Sequence, residues 1–217
     1  SYHGYGVQDF LDVDPLLGNR GDLVDLVAAA HERGIRVILD IIFNHSGTNW
    51  IYPPGSPGGV FEPRYTTGRY EFGSWLGERG EAVAAIGGSE QGVWPAELQD
   101  KERYTRAGAG DLGAGDINDP NAEHKRTDFL SLRDFALGAA DALSDLARCY
   151  KYWIALTDCD GFRIDTLKHV SLEEARNFCG ALREFADRIG KRNFLIVGEI
   201  AGGDDAQDFI VDHLAQA

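Results

Sequence analysis

Two carboxylates stand near the ends of two apolar segments: Asp165 in GFRIDTLKHV (161–170) and Glu199 in FLIVGEI (194–200), 34 residues apart. A closed barrel of eight strand–helix units spends about 31 residues on each unit. The spacing therefore predicts equivalent positions on neighbouring parallel strands, which lie about 4.8 Å apart. Enzymes that cleave glycosidic bonds with retention hold two carboxyl groups about 5–5.5 Å apart, one as nucleophile and one as proton donor. Side chains alternate along a strand, so Arg163 shares a face with Asp165. A guanidinium there favours the ionised carboxylate, the form a nucleophile needs. Arg-x-Asp alone fits a structural ion pair as well as a catalytic one; Glu199, one unit further on, tips the reading toward chemistry. Gly198 leaves room beside Glu199, and a glutamate in a partly apolar pocket can carry and donate a proton.

A third carboxylate, Asp40 in ILDIIFNH, is flanked by apolar residues on a segment that reads as buried. A buried carboxylate needs a positive or donating partner, and Arg163 on the next strand in order is the candidate. Asn44 and His45 follow at the same strand's C-terminal end, the end at which barrels carry their active sites. His45 at that end could donate to a sugar hydroxyl; taken alone it reads more often as an ordinary loop histidine.

The elements that must hold these groups alternate. Residues 22–33 form an apolar stripe of helical period that stops at Gly34. Ile35–Phe43 is nearly continuous and β-branched, the pattern of a strand covered on both faces. Helical spacing returns after Arg133 through Leu143, Leu146, Ala147, Tyr150 and Ile154. A strand follows at 161–167. Ser171 and Glu174 then form a capping box for the next helix. Phe194–Ile200 is a third strand, and a last helix is expected over 205–213. Such alternation argues for a parallel α/β sheet. Residues 46–130 break the rhythm with glycine, proline and aromatics. That stretch is too long for an ordinary loop and reads as a small inserted domain whose aromatics form a core of their own.

Composition narrows the function. Of 217 residues, 35 are Asp or Glu and 21 are Lys or Arg, a net charge of −14. Such a surface repels nucleic acid and anionic membranes and favours a neutral or cationic substrate. No apolar run approaches the roughly 18 residues of a membrane span. The three cysteines, Cys149, Cys159 and Cys179, lack CxxC spacing and read as buried, inert thiols. Their odd number leans toward a reducing, cytoplasmic compartment. A start at Ser1 without Met leaves room for a removed leader and a secreted origin.

On these residues the chain resembles the α-amylase family, glycoside hydrolase family 13. SYHGYGVQDFLDVDPLLG is similar to the family's segment after its second barrel strand, ILDIIFNH to its first conserved region, GFRIDTLKHV to its second and VGEI to its third. The resemblance implies an α/β fold: a partial TIM (β/α)8 barrel carrying about strands three to five, with a small domain inserted after the third. Residues 1–45 and 131–217 would belong to the barrel and 46–130 to the insertion. It implies that Asp165 is the nucleophile, Glu199 the acid and then the base, and Arg163 the group that orients Asp165, with Asp40 supporting Arg163. Tyr5 would stack on the sugar at the cleavage point, His45 would contact it, and Lys168 and His169 would line the leaving-group side. Many members bind a structural calcium ion. Asn44 and Asp116 match two ligand positions and the His169 carbonyl a third, with Asp119 a rival to Asp116. The family's fourth region has no match here, because Asp204 and Asp205 come too soon. The first two and last three strands also lack counterparts, so the missing barrel strands of a parent chain would be partners, together with an α-glucan.

The activity so implied is retaining hydrolysis of α-1,4-glucosidic bonds in starch-like glucans or maltooligosaccharides. Transglycosylation through the same covalent intermediate is the near alternative. A non-catalytic structural or carbohydrate-binding relative is a second, which the retention of both carboxylates opposes. A metal-dependent, enolase-like lyase would need further acidic strand ends, and Asn44-His45 fits that poorly. The isolated segment, with two open barrel edges, is expected to have little activity.

Overall fold

The computed structural model describes residues 4–56 and 67–201, and the helix expected at 205–213 lies outside them. In chain order the elements are α1 (Arg20–Glu32), β1 (Ile38–Ile41), β2 (His45–Ser46), β3 (Trp50–Ile51), β4 (Ser74–Leu76), β5 (Ala82–Val83), β6 (Arg133–Asp134), α2 (Ala140–Thr157), β7 (Gly161–Ile164), α3 (Leu172–Arg188) and β8 (Leu195–Gly198). The three long apolar segments form one parallel sheet in the order β1-β7-β8. Its register sets Asp40 beside Arg163 and Ile164 beside Gly198.

Capping signals in the sequence set the helix ends. Asn19 and Asp22 close a capping box on α1, and Ser171 and Glu174 close the expected one on α3. Gly34, at φ +72°, follows α1, where a left-handed residue ends the helix cheaply. Leu39, Ile41, Phe162 and Ile164 face the helices, and the two β7 residues are fully buried in one cluster with Leu146, Tyr150, Ile154, Phe178 and Leu182. The Phe43 and Phe178 rings stack with centroids 4.0 Å apart.

The other face of the sheet is open among the described residues: Ile38, Leu195 and Val197 are 43%, 52% and 43% exposed. The expectation of a first strand covered on both faces is corrected here. The helices pack on one side of it, and Asp40 points to the other.

Residues 47–132 leave and return at one point, where β2 and β6 pair antiparallel, His45 opposite Asp134 and Ser46 opposite Arg133. Within this excursion β3, β4 and β5 form an antiparallel sheet. Its aromatics do not make a separate core. Trp50, Phe72, Trp75 and Tyr104 pack together, Tyr104 stacks on Phe135 at 5.1 Å, and Phe135 meets Phe10 at 5.8 Å. One cluster thus runs from the excursion into the helix-covered core. Arg103 ties the excursion to Asp145 of α2 at 3.0 Å, and Arg126 ties it to Glu174 of α3 at 2.6 Å.

No helix among the described residues is long and apolar enough to cross a membrane. All three cysteines are free, and burial pushes the Cys149 thiol up to about 12 and Cys179 up to about 11, which keeps both unreactive.

Candidate active site

Parallel pairing brings the C-terminal ends of β1, β7 and β8 side by side, and each carries one acidic residue. Asp165 N–H donates to the Ile41 carbonyl at 2.9 Å, and Glu199 N–H donates to the Ile164 carbonyl at 2.8 Å, so both carboxylates continue the ladder. Arg163 lies among the three acids. Its Nη1 is 2.7 Å from Asp165 and 3.0 Å from Asp40, and its Nη2 is 2.9 Å from Glu199. The expected Asp40–Arg163 pairing is present, but Asp40 is not buried; its side chain is 48% exposed.

Asp165 and Glu199 share Arg163, Asp165 on Nη1 and Glu199 on Nη2. Asp165 is pushed up to about 6: burial raises it most, Arg163 pulls it back and contact with Glu199 raises it again. Of the two, Asp165 is the more enclosed, with an 11% exposed side chain against 37% for Glu199.

Immediately after Asp165 the chain turns through Thr166 in the left-handed region, φ +55°, and the Thr166 N–H donates to Glu199 Oε2 at 3.3 Å. Strained backbone of this kind collects at functional sites. The turn leads into the 3-10 segment Leu167–His169.

The two carboxylates open into a cavity of about 370 Å³ lined also by Tyr5, His45, Thr166, Lys168, His169 and the turn at 129–132. Every substrate-binding residue expected from the sequence is therefore on one wall or another of the same space. Tyr5 is held by its hydroxyl, which donates to Asp40 at 3.1 Å and accepts from Arg163 at 3.4 Å. The Asp40 hydrogen bond is the main cause that raises the Tyr5 phenol above its ordinary value. His45 is buried and accepts from the Asn44 amide on Nδ1 at 3.2 Å. His169 donates from Nδ1 to the His124 carbonyl at 2.7 Å, and burial pushes it down to about 4, so it is neutral with Nε2 as acceptor. Phe129 stacks on His45 at 5.2 Å and meets His169 edge-on at 4.9 Å. That ring joins the two histidines, and nothing in its local sequence announced it.

Calcium requires oxygen donors. Among the described residues no group of three or more His, Cys, Asp or Glu is placed to hold a metal, so a cation here would depend on amide and carbonyl oxygens. Asp116 is exposed, and its Oδ1 accepts from Asn118 N–H at 2.9 Å in a turn. Asp119 is likewise exposed and accepts from Asn121 N–H at 2.8 Å. The carboxylate bonded to Asn44 is Asp134, which the sequence reading passed over. Asp134 is buried, its Oδ2 has no hydrogen-bond partner, and burial raises it well above the usual carboxylate range. An orphaned buried oxygen beside an amide fits a hard cation. Asn44 and Asp134 are both buried, whereas Asp116 and Asp119 stand exposed in turns.

Residues 1–55 match the model of the α-amylase catalytic domain. The chain is 28% identical over 230 residues to an α-amylase of Streptomyces lividans, a match covering 94% of this chain and 23% of that protein. It is 27% identical over 177 residues to a cyclomaltodextrinase of a Bacillus species, covering 81% of this chain and 25% of that protein. Among solved structures, the α-amylase of Geobacillus thermoleovorans in complex with acarbose superposes with a TM-score of 0.63 at 26% identity, over 98% of this chain and 36% of that one. The chain thus spans about a quarter of the length of the curated relatives it matches.

Proposed function

From a chain related to the α-amylase family along most of its length, we propose that this segment carries two catalytic carboxylates of a retaining enzyme acting on α-1,4-glucosidic bonds of starch-like glucans or maltooligosaccharides. In this reading β1, β7 and β8 are the third to fifth strands of a (β/α)8 barrel, and the excursion at 46–130 is its inserted domain. The observation that carries the reading is Arg163: one guanidinium contacts both carboxylates at neighbouring strand ends, within a cavity of sugar size.

Asp165 attacks the anomeric carbon while Glu199 protonates the departing glycosidic oxygen, leaving a β-glycosyl ester on Asp165. Glu199 then takes a proton from water, which attacks the same carbon and frees Asp165. Glu199 is the more exposed of the two side chains, 37% against 11%, and so the one open to the glycosidic oxygen. Asp165 keeps Arg163, and the guanidinium stabilises the anion that must attack. Neutral His169 offers an acceptor to a hydroxyl on the leaving-group side, where Lys168 also lies. A calcium ion at Asn44 and Asp134, with the His169 carbonyl, would supply structural neutralisation at the root of the excursion. A sugar hydroxyl in place of water makes the same intermediate a transglycosylation; a cyclomaltodextrinase among the relatives keeps attention on how water reaches it.

The test is NMR analysis of the first products released from maltooligosaccharides by the full-length protein, beside Asp165→Asn. An initial α-anomer and a loss of activity of at least about a thousandfold in the variant are expected. An initial β-anomer, or undiminished activity of Asp165→Asn, overturns the assignment.

A further inference from the structure

Gly198, the residue before Glu199, is a glycine for space and not for backbone conformation, since its φ lies outside the left-handed region. A Cβ at Gly198 would overlap Leu167 Cδ2, with Leu167 Cγ and Cβ close behind at 3.3 and 3.4 Å. The room beside Glu199 is therefore filled by a leucine from the neighbouring strand end. Leu167 also packs against the helix-covered core. Its main chain is held on both sides: its N–H donates to the Glu199 carbonyl at 3.1 Å, and its carbonyl accepts from Val170 N–H at 3.2 Å. Crowding at Gly198 would thus reach the backbone of the turn and not the leucine tip alone.

The preceding residue completes the arrangement. Thr166 lies at φ +55°, ψ +30°, an outlier for a β-branched side chain. Its Oγ1 is buried without a hydrogen-bond partner, so the side chain offsets none of the strain. What the strained residue achieves is direction, because successive N–H groups in such a turn converge. Thr166 N–H donates to Glu199 Oε2 at 3.3 Å, and Leu167 N–H reaches the Glu199 main chain. Arg163 Nη2 holds the other carboxylate oxygen, Oε1, at 2.9 Å. One two-residue turn therefore grips Glu199 by side chain and backbone together, and the seat under that turn is Gly198.

We infer that Thr166–Leu167, seated on Gly198, is a latch that orients the Glu199 carboxyl for proton transfer, with Gly198 and Leu167 as positioning residues. The inference rests on the glucan reading above and deepens its acid/base step. In that step the glycosidic C–O bond breaks, its electron pair takes the Glu199 proton, and Asp165 bonds to the anomeric carbon. Misplacing a reacting group by about 1 Å can lower a rate about a hundredfold. For a misplaced acid the loss falls on substrates whose leaving group must be protonated. A leaving group that departs without a proton is indifferent to the latch.

The experiment measures kcat/KM of the full-length protein on two substrates. The departing oxygen of maltopentaose needs the proton, whereas the fluoride of α-maltosyl fluoride leaves with little help from an acid. For Gly198→Ala, kcat/KM on maltopentaose falls by between about tenfold and about a hundredfold, while α-maltosyl fluoride stays within about threefold. The retained fluoride reaction shows at the same time that the variant folds and keeps Asp165 in place. Gly198→Ala/Leu167→Ala, which trims the crowded side chain, brings maltopentaose cleavage back to within about fivefold of the wild type. Equal falls on the two substrates, undiminished maltopentaose cleavage by Gly198→Ala, or no recovery in the double variant overturns the inference. A wild type that cleaves neither substrate overturns the glucan reading itself, and the inference with it.

Discussion

Replacing Arg163 with glutamine removes a single guanidinium from three carboxylates, and the effect on Asp165 can be worked from the distances. With Nη1 2.7 Å from Asp165, the two charge centres lie about 4 Å apart, worth about 4 kcal/mol at an effective dielectric near 20. The Arg163 side chain is 26% exposed, so solvent screening leaves roughly half of that. About 2 kcal/mol corresponds to roughly 1.5 pKa units. Loss of a cation disfavours the ionised form, so Asp165 moves upward from about 6. In Arg163→Gln it reaches roughly 7.5. Carboxyl-carbon NMR titration of the full-length protein, with Asp165→Asn identifying the resonance, measures this directly. The acidic limb of the pH dependence of kcat/KM should shift upward by a similar amount, and Arg163→Lys should shift less than half as far. An Asp165 midpoint that does not move in Arg163→Gln would refute the claim that this guanidinium controls the nucleophile.

Other expectations concern stability. Asp160 has a raising contribution from burial that is outweighed by the Val37 N–H at 2.8 Å, His31 at 2.7 Å and Arg36 at 2.8 Å, which bring it down to about 2. A depressed carboxylate stabilises the fold above its unfolded pKa and loses that contribution as pH falls toward 2. Asp160→Asn should therefore cost about 2 kcal/mol at pH 6 and almost nothing near pH 2, as read from urea midpoints across that range. Asp165 has the opposite sign: with its pKa raised, ionisation works against the fold as pH climbs through about 6. Asp165→Asn should gain up to about 2 kcal/mol above that pH and nothing below about pH 4; an identical gain at both ends would contradict it. Phe178→Ala, which empties a fully buried site stacked on Phe43, should cost about 3–5 kcal/mol in chemical denaturation. A loss under about 1 kcal/mol would mean that the Phe43 side of the core collapses into the space.

The sheet was legible because IRVILDIIF, GFRIDT and FLIVGEI are short β-branched runs between helices with clear stops and caps. Arg163 with Asp165 and Asp40 was legible too, since alternation along β7 and adjacency of β1 follow from local pattern. What escaped depends on contacts between residues far apart in sequence. Asp134 meets Asn44 across the whole excursion, and no local feature distinguishes it from Asp116, which sits in a more suggestive Asp/Asn-rich stretch. Phe129 lies in a segment without period, yet its ring lies against both His45 and His169. The exposure of Asp40 was missed for a different reason. A run of apolar residues predicts two covered faces, and here the face carrying Asp40 is open among the described residues.

The pairing of His45–Ser46 with Arg133–Asp134 has a consequence for how such a molecule can diversify. Because the chain departs and re-enters through one two-rung ladder, the stretch between behaves as a cassette. Doubling the length of a loop with fixed ends costs only about 0.6 kcal/mol in closure entropy, so the exposed stretches of the excursion can lengthen or shorten while the parallel strands keep their register and its aromatics stay in the shared core. The charged strand ends belong to the frame, whereas Leu130 and Phe129 belong to the cassette. Mutation at the exposed positions of the excursion can therefore redraw the surface a ligand meets first while Asp165, Glu199 and Arg163 keep their places, provided that the aromatics and the Arg103 and Arg126 pairs that join it to the core are kept.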